Sequence, residues 1–392
     1  MTSTPQLQFE TALQEAAQAT DAVLDGLLSE SASPRLLAAM RYAALGSGKR
    51  LRPFLVIETA RLFNVPRAQA LRVGAALECV HCYSLVHDDL PAMDNDDLRR
   101  GKPTTHKKFD QATAILAGDS LLTLAFEILA HAETHADANI CSSLVLELAK
   151  ASGKLGMAGG QMLDIEAENE TSPSLQHIMR IQSHKTGALF RFACEAGAIM
   201  AGADRSPLRR YADNIGLAFQ ITDDLLDLTS TPEALGKATQ KDRAKGKATI
   251  VSLMGRGAAR QKAENLADAA IAALATIGIL LMLLSTLIFV LNYQLIISKS
   301  ADDIALLRQI GYRPSDIARI LRGSLFRLLI SIFAAVILAL SLSRVSIVAW
   351  LAQQDFPVTK GFDNPVLLIC FASMAIIVFI NVWNIKKQVL LK

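Results

Sequence analysis

Aromatic residues make up only 6% of the 392-residue chain, and its five cysteines are an odd number with no disulfide pattern. Cys79 and Cys82 flank His81, but no second Cys or His pair follows at ligand spacing, which argues against a zinc site. A net charge of +3 offers no basic field for nucleic acid. The opening MTSTPQLQFETALQEA has neither a basic n-region nor an apolar h-region, so it does not read as a signal peptide, and the first domain is expected in the cytoplasm. Alternating β-branched runs are nearly absent, and no internal repeat is visible. No Ser-His-Asp or Cys-His arrangement stands out, so covalent catalysis by a side-chain nucleophile is not indicated. GSGKRLRPFL at 46–55 fails as a phosphate-binding P-loop: Ala43 stands where a Gly is needed, Arg50 follows Lys49 where Ser or Thr is needed, and no strand precedes it.

What is present is helix. Apolar residues recur at three- and four-residue spacing in 9–28, 36–45, 67–87, 111–132, 138–152 and 207–228, with Gly, Pro and Asn breaking loops such as 46–53 and 230–236. An all-α bundle is expected.

Two aspartate-rich strings sit in that helical background, DDLPAMD at 88–94 and DDLLD at 223–227. Arg99 and Arg100 follow the first; Lys237 and Lys247 follow the second. Hard carboxylate oxygens with cations close by suit Mg²⁺ ions that carry phosphate groups. Asp223 and Asp227, at i and i+4, share a helix face, whereas Asp224 is rotated away by about 100°. Pro91 should end the first helix soon after Asp88 and Asp89, so that Asp94 returns to the same cavity through a loop; Asp96 and Asp97 are expected to be solvated. Lys49 and Arg52, near a Gly turn, become candidate anion ligands.

The strings GSGKRLRPFL, ALECVHCYSLVHDDLPAMDNDDLRRGKPTTH, GQMLDIEAE, HKTGALFR and GLAFQITDDLLD occur in this order across 40–255. Together they resemble the trans-isoprenyl diphosphate synthases, in particular the bacterial farnesyl diphosphate synthases. Thr222 stands where Gln is common, and Thr249-Ile250 follows Lys247 where an aromatic is frequent; neither removes a metal ligand. The resemblance implies an isoprenoid synthase helical bundle that condenses isopentenyl diphosphate with dimethylallyl or geranyl diphosphate, commonly as a homodimer. Asp88, Asp94 and Asp223 would hold Mg²⁺ on the allylic diphosphate. Arg99, Lys185, Thr186, Gln220 and Lys237 would contact that diphosphate, with Lys247 helping. Lys49, Arg52, His81 and Arg100 would hold isopentenyl diphosphate. Tyr83, five residues before Asp88, together with the Pro91-Ala92 insertion, resembles the arrangement that stops growth at C15. A C20 product, or a terpene cyclase with similar metal sites, is the alternative; the Lys49/Arg52/His81 set argues against a cyclase.

Near residue 271 the character changes. Residues 271–297 and 364–385 carry no charge, and 328–351 carry only Arg344, so three transmembrane helices are expected. Lys299, Arg308, Arg313, Arg319, Arg322 and Arg327 bias the 299–327 link to the cytoplasmic side, as Lys386, Lys387 and Lys392 do the tail. LLRQIGYRPSDIARILRGSLFRLLI resembles the region of FtsX/MacB/LolC-type permeases that meets an ABC-type ATPase. The expected division is a synthase domain at 1–272 lacking its last helix and a permease-like fragment at 273–392. With 299–327 inside, one preceding span would place residues 1–270 outside, where isoprenoid substrates are not supplied. The chain therefore reads as a chimera at the inner membrane, and a permease fragment fused to an inactive synthase is the competing reading.

Overall fold

Ser33 opens the second helix by accepting the Leu36 N–H on its side chain, with Pro34 at the first helical position, and Asp110, Asp137, Ser174 and Thr249 open four later helices with side-chain caps of the same kind. The computed structural model describes residues 4–46, 48–168, 170, 172–229 and 248–273. In chain order they form α1 (Thr4–Leu27), α2 (Pro34–Ala44), α3 (Leu51–Leu62), α4 (Arg67–Asp88), β1 (Leu98–Arg99), β2 (Lys102–Pro103), α5 (Thr105–Lys108), α6 (Gln111–Ala130), α7 (Ala138–Ser152), α8 (Met157–Ala167), α9 (Leu175–Lys185), α10 (Gly187–Met200), α11 (Ser206–Thr229) and α12 (Ile250–Met254). Residues 256–273 are helical as well. The expected spans at 271–297, 328–351 and 364–385 lie outside the described residues beyond 273.

The bundle is built around α4 and α10. α4 packs on α3 and α6, and α10 packs on α3, α7 and α11. Every residue of α10 except Arg191 is buried. Its only charges are Arg191 and Glu195, one turn apart. α3 is similar, with seven buried residues from Pro53 to Ala60. The expected 46–53 loop is shorter than Gly and Pro suggest, because Pro53 sits in the first turn of α3, where its missing N–H costs no helical bond. Phe9 meets Phe54 edge-on at 5.5 Å, and Phe190 meets Phe219 at 5.2 Å, closing the core between helices. Each large apolar side chain so buried contributes roughly 1.5–3 kcal/mol.

Asp110 caps α6 by accepting the Thr113 N–H at 2.7 Å and is gripped by Arg35 of α2 at 2.5 Å. Among the described residues, α6 alone is long and apolar enough to cross a membrane by length and composition; it packs on α2, α4 and α7. The one sheet among the described residues is the two-residue hairpin β1–β2. Its turn puts Arg100 at φ 52° and Gly101 at φ 74°, the pattern of a type I′ turn. No alternating run announces it.

Candidate active site

α4 carries His81 and Asp88 seven residues apart, two turns along one face. Both line a cavity of about 290 Å³ together with Arg52 of α3, Tyr83 and His87 of α4, Met157 of α8, Lys185 and Thr186 at the α9–α10 junction, and Leu189 of α10. Six residues expected in the site, Arg52, His81, Tyr83, Asp88, Lys185 and Thr186, therefore meet in one space.

Asp88 ends α4, and the chain breaks at Pro91 as expected. The Asp94 N–H then donates to the Asp88 carbonyl at 2.8 Å, and the Asp96 N–H to the Asp89 carbonyl at 3.2 Å, so the loop folds back over the helix end. The Asp88 carboxyl is pushed up to about 6: burial is the largest cause, the charges of Lys185 and Arg99 oppose it, and those of Asp94 and Asp89 add to it. Asp89 points elsewhere. Arg99 Nε donates to its two oxygens at 2.8 and 3.0 Å and Nη2 donates at 2.5 Å. Arg99, expected on the substrate diphosphate, is thus forked onto Asp89, with Asp96 at 3.6 Å. Asp96, expected to be solvated, is half-buried because it joins this cluster. Asp97 is exposed, as expected, and pairs with Lys107 at 2.8 Å.

A second wall comes from α8 to α11. Lys185 Nζ lies 2.7 Å from Asp164 Oδ2 of α8. The Thr186 hydroxyl donates to Gln220 Oε1 at 3.1 Å, Gln220 Nε2 donates to Asp224 Oδ1 at 3.1 Å, and Asp224 Oδ2 accepts the Ile250 N–H at 3.3 Å. Asp224 is thus a tether between α11 and α12. Asp223 is exposed on α11, outside the walls of the 290 Å³ cavity. Asp227 follows one turn later in α11; its side chain, Lys237 and Lys247 lie outside the described residues.

Cations gather two turns earlier on α4, around His81. Arg52 stacks its guanidinium over the Phe190 ring at 5.1 Å, and its Nε is buried with no hydrogen-bond partner. Burial, then the charge of Arg100, lowers the Arg52 pKa, with Glu78 opposing. His81 is driven well below its ordinary value by burial first, then by Arg52, Arg100, Arg99 and Arg50, so its imidazole is neutral at pH 7. Lys49 is exposed on the loop before α3. An orphaned guanidinium N–H among gathered positive charges favours an anion there.

The donors at the end of α4 and on α11 are all carboxylate oxygens. Among the described residues no group of three or more His, Cys, Asp and Glu side chains forms a ready metal cage. Carboxylate donors fit Mg²⁺, which keeps several waters and takes one or two carboxylates plus substrate phosphate oxygens. Sequence reasoning gave no role to Asp164, Glu78 or Arg50. Asp164 sits within GQMLDIEAE and the other two within strings quoted above; a charge in an otherwise apolar run is the signal that could have found them.

A family model for polyprenyl synthetase matches residues 33–275, and one for a probable transporter C-terminal domain matches residues 258–391. The chain is 51% identical over 235 residues to the farnesyl diphosphate synthase of Escherichia coli (strain K12), covering 58% of this chain and 78% of that protein. Among solved structures, an FPP/GFPP synthase from Zymomonas mobilis aligns with TM-score 0.63 and 50% identity, over 69% of this chain and 94% of that one. A geranyltransferase from Helicobacter pylori, complexed with magnesium and isoprenyl diphosphate, aligns with TM-score 0.61 and 31% identity, over 71% and 93%.

Proposed function

The chain belongs to the polyprenyl synthetase family, and from that premise we propose that it condenses isopentenyl diphosphate with dimethylallyl and then geranyl diphosphate to give farnesyl diphosphate. The observation that carries the reading is one cavity lined by Asp88, Lys185 and Thr186 and also by Arg52 and His81; a metal ion held at Asp88 beside Lys185 would take one diphosphate, and Arg52 beside His81 would take the other. A reaction that joins two diphosphate esters needs both.

Asp88 and Asp94, with Asp223 and Asp227, would hold Mg²⁺, which when bound supplies positive charge to the departing diphosphate. Lys185, Thr186 and Gln220 bind and orient the allylic diphosphate, with Lys237 and Lys247. Arg99 joins them by sharing or leaving its fork on Asp89. Lys49, Arg52, neutral His81 and Arg100 hold isopentenyl diphosphate. Breaking the allylic C–O bond puts negative charge on diphosphate and positive charge on carbon, and fixed donors such as Lys185 stabilise the former. The isopentenyl double bond attacks the allylic carbon, and the released diphosphate takes the proton lost from the adduct. Leu189, Met157 and Tyr83 keep water from the cation. Tyr83 sets the cavity floor. The test is product formation by the full-length chain in detergent with Mg²⁺ or with EDTA. Mg²⁺-dependent transfer ending at C15 supports the reading; a C20 product moves it to a longer-chain synthase, and no transfer sinks it.

The remaining assignments rest on the sequence and on the transporter-type match at 258–391. Residues 271–297, 328–351 and 364–385 span the inner membrane and the synthase domain stays on the cytoplasmic side; contact of 299–327 with an ABC-type ATPase, as in FtsX/MacB/LolC-type permeases, requires the opposite orientation and is the competing reading. A second copy of the synthase domain covers the exposed face of α6, where Ile115 and Leu116 are 44% and 56% exposed. Crosslinking of membrane-bound protein and protease protection of its ends test these placements.

A further inference from the structure

Arg50 stands between Lys49 and Arg52, yet its side chain has no exposed surface and cannot reach a substrate. Its backbone takes φ 50°, a left-handed conformation disfavoured for any residue with a Cβ. From there its guanidinium reaches four places at once. Nε donates to Asp21 Oδ1 of α1 at 2.8 Å, Nη1 to Glu78 Oε1 of α4 at 2.6 Å, and Nη2 to the carbonyls of Ala44 and Gly46 at 2.5 and 3.1 Å. Glu78 is itself only 2% exposed, and it lies three residues before His81, so the two are neighbours on one face of α4. Glu78 also steadies the charge of Arg52. A Cβ added at Gly48 would lie 2.7 Å from Arg100 Nη1 and 3.1 Å from Arg50 Nη1, so the turn, Arg50 and Arg100 share one tight contact.

A buried ion pair contributes little net stability over apolar packing of the same volume. Its value here is direction: it fixes the loop on which three of the four cationic and imidazole groups depend. We propose that Arg50, braced by Glu78 and Asp21, is a positioning residue for the isopentenyl diphosphate subsite, setting where Lys49, Arg52 and Arg100 stand without touching substrate. The inference rests on the proposed function and deepens it by linking α1 to the second-substrate site.

The test uses the full-length chain in detergent and four proteins: wild type, Asp21→Asn, Glu78→Gln and the double variant Arg50→Met/Glu78→Leu. KM for isopentenyl diphosphate, KM for geranyl diphosphate, kcat, thermal midpoint and calorimetric binding of isopentenyl diphosphate alone are measured for each. Glu78→Gln should raise the isopentenyl KM and dissociation constant roughly tenfold, and Asp21→Asn a few-fold, the scale of a displaced charge-assisted contact. The geranyl KM should stay within about twofold. The double variant replaces both buried charges with apolar groups, so it separates folding from positioning: it should keep the thermal midpoint and still lose isopentenyl affinity. Folded variants with unchanged isopentenyl affinity, or with both KM values raised together, overturn the inference. A wild type that binds isopentenyl diphosphate without turnover would sink the proposed function, while the binding comparison still decides the role of Arg50.

Discussion

Arg99 closes a fork on Asp89, while Asp88, one residue earlier, keeps a carboxyl pushed up to about 6. Adjacent carboxylates of one motif are thus divided: one is neutralised by the protein, and the other faces the cavity.

That division predicts opposite phenotypes. Asp89→Asn leaves the Arg99 charge half-buried and short of its partner, so it should lower stability by about 2 kcal/mol, with a rate loss of only a few-fold. Asp88→Asn removes a carboxylate whose ionised form burial disfavours, so the thermal midpoint should hold or rise slightly, while kcat falls at least about 100-fold. Thermal unfolding and steady-state rates on both variants check this. Equal rate losses would contradict it.

His81 gives a pH signature. Its folded pKa lies below the unfolded value of about 6.5. As pH falls through about 6.5 the unfolded chain takes up a proton that the folded chain refuses, so stability is full above that pH and declines below it. His81→Gln should flatten the fall in thermal midpoint between about pH 7 and pH 5. An unchanged slope would mean that the imidazole is not held neutral by burial and the charges of Arg52 and Arg100.

Thr186, Gln220, Asp224 and the Ile250 N–H form a continuous chain of hydrogen bonds from the cavity wall to α12. Thr186→Val removes its first donor. The allylic KM should rise roughly tenfold with the isopentenyl KM unchanged, the reverse of the pattern expected for Glu78→Gln. Separate titration of the two substrates distinguishes them.

Much of the architecture was legible from apolar residues at three- and four-residue spacing: α4, α6, α7 and α11 start and stop within two residues of the periodic segments. Pro91 foretold both the end of α4 and the return of Asp94 to Asp88. α3, α8, α9 and α10 lie outside those segments; for α3 the reason is that a helix buried on nearly every side loses the polar face that gives a period. The Arg100-Gly101 hairpin is too short for alternation to show. At the site, the residue types and their order pointed to two diphosphates, but pairing did not follow from spacing. Nothing in the strings says that Arg99 would grip Asp89, that Lys185 would meet Asp164, or that Arg50 would turn inward between exposed Lys49 and cavity-lining Arg52. Those partners come from elements brought together by packing.

Tyr83 holds its ring edge-on to His87, 5.7 Å between centroids, on the wall of the same cavity that Asp88 lines. Chromatography of the products made from geranyl and isopentenyl diphosphates, by the full-length chain and by Tyr83→Ala under Mg²⁺, tests the whole account at once. It predicts a C15 product from the wild type and C20 or longer from the variant, because truncating the ring deepens the space beneath the reacting end. No prenyl transfer by the wild type would contradict the assignment, and a variant that still stops at C15 would remove Tyr83 from the floor.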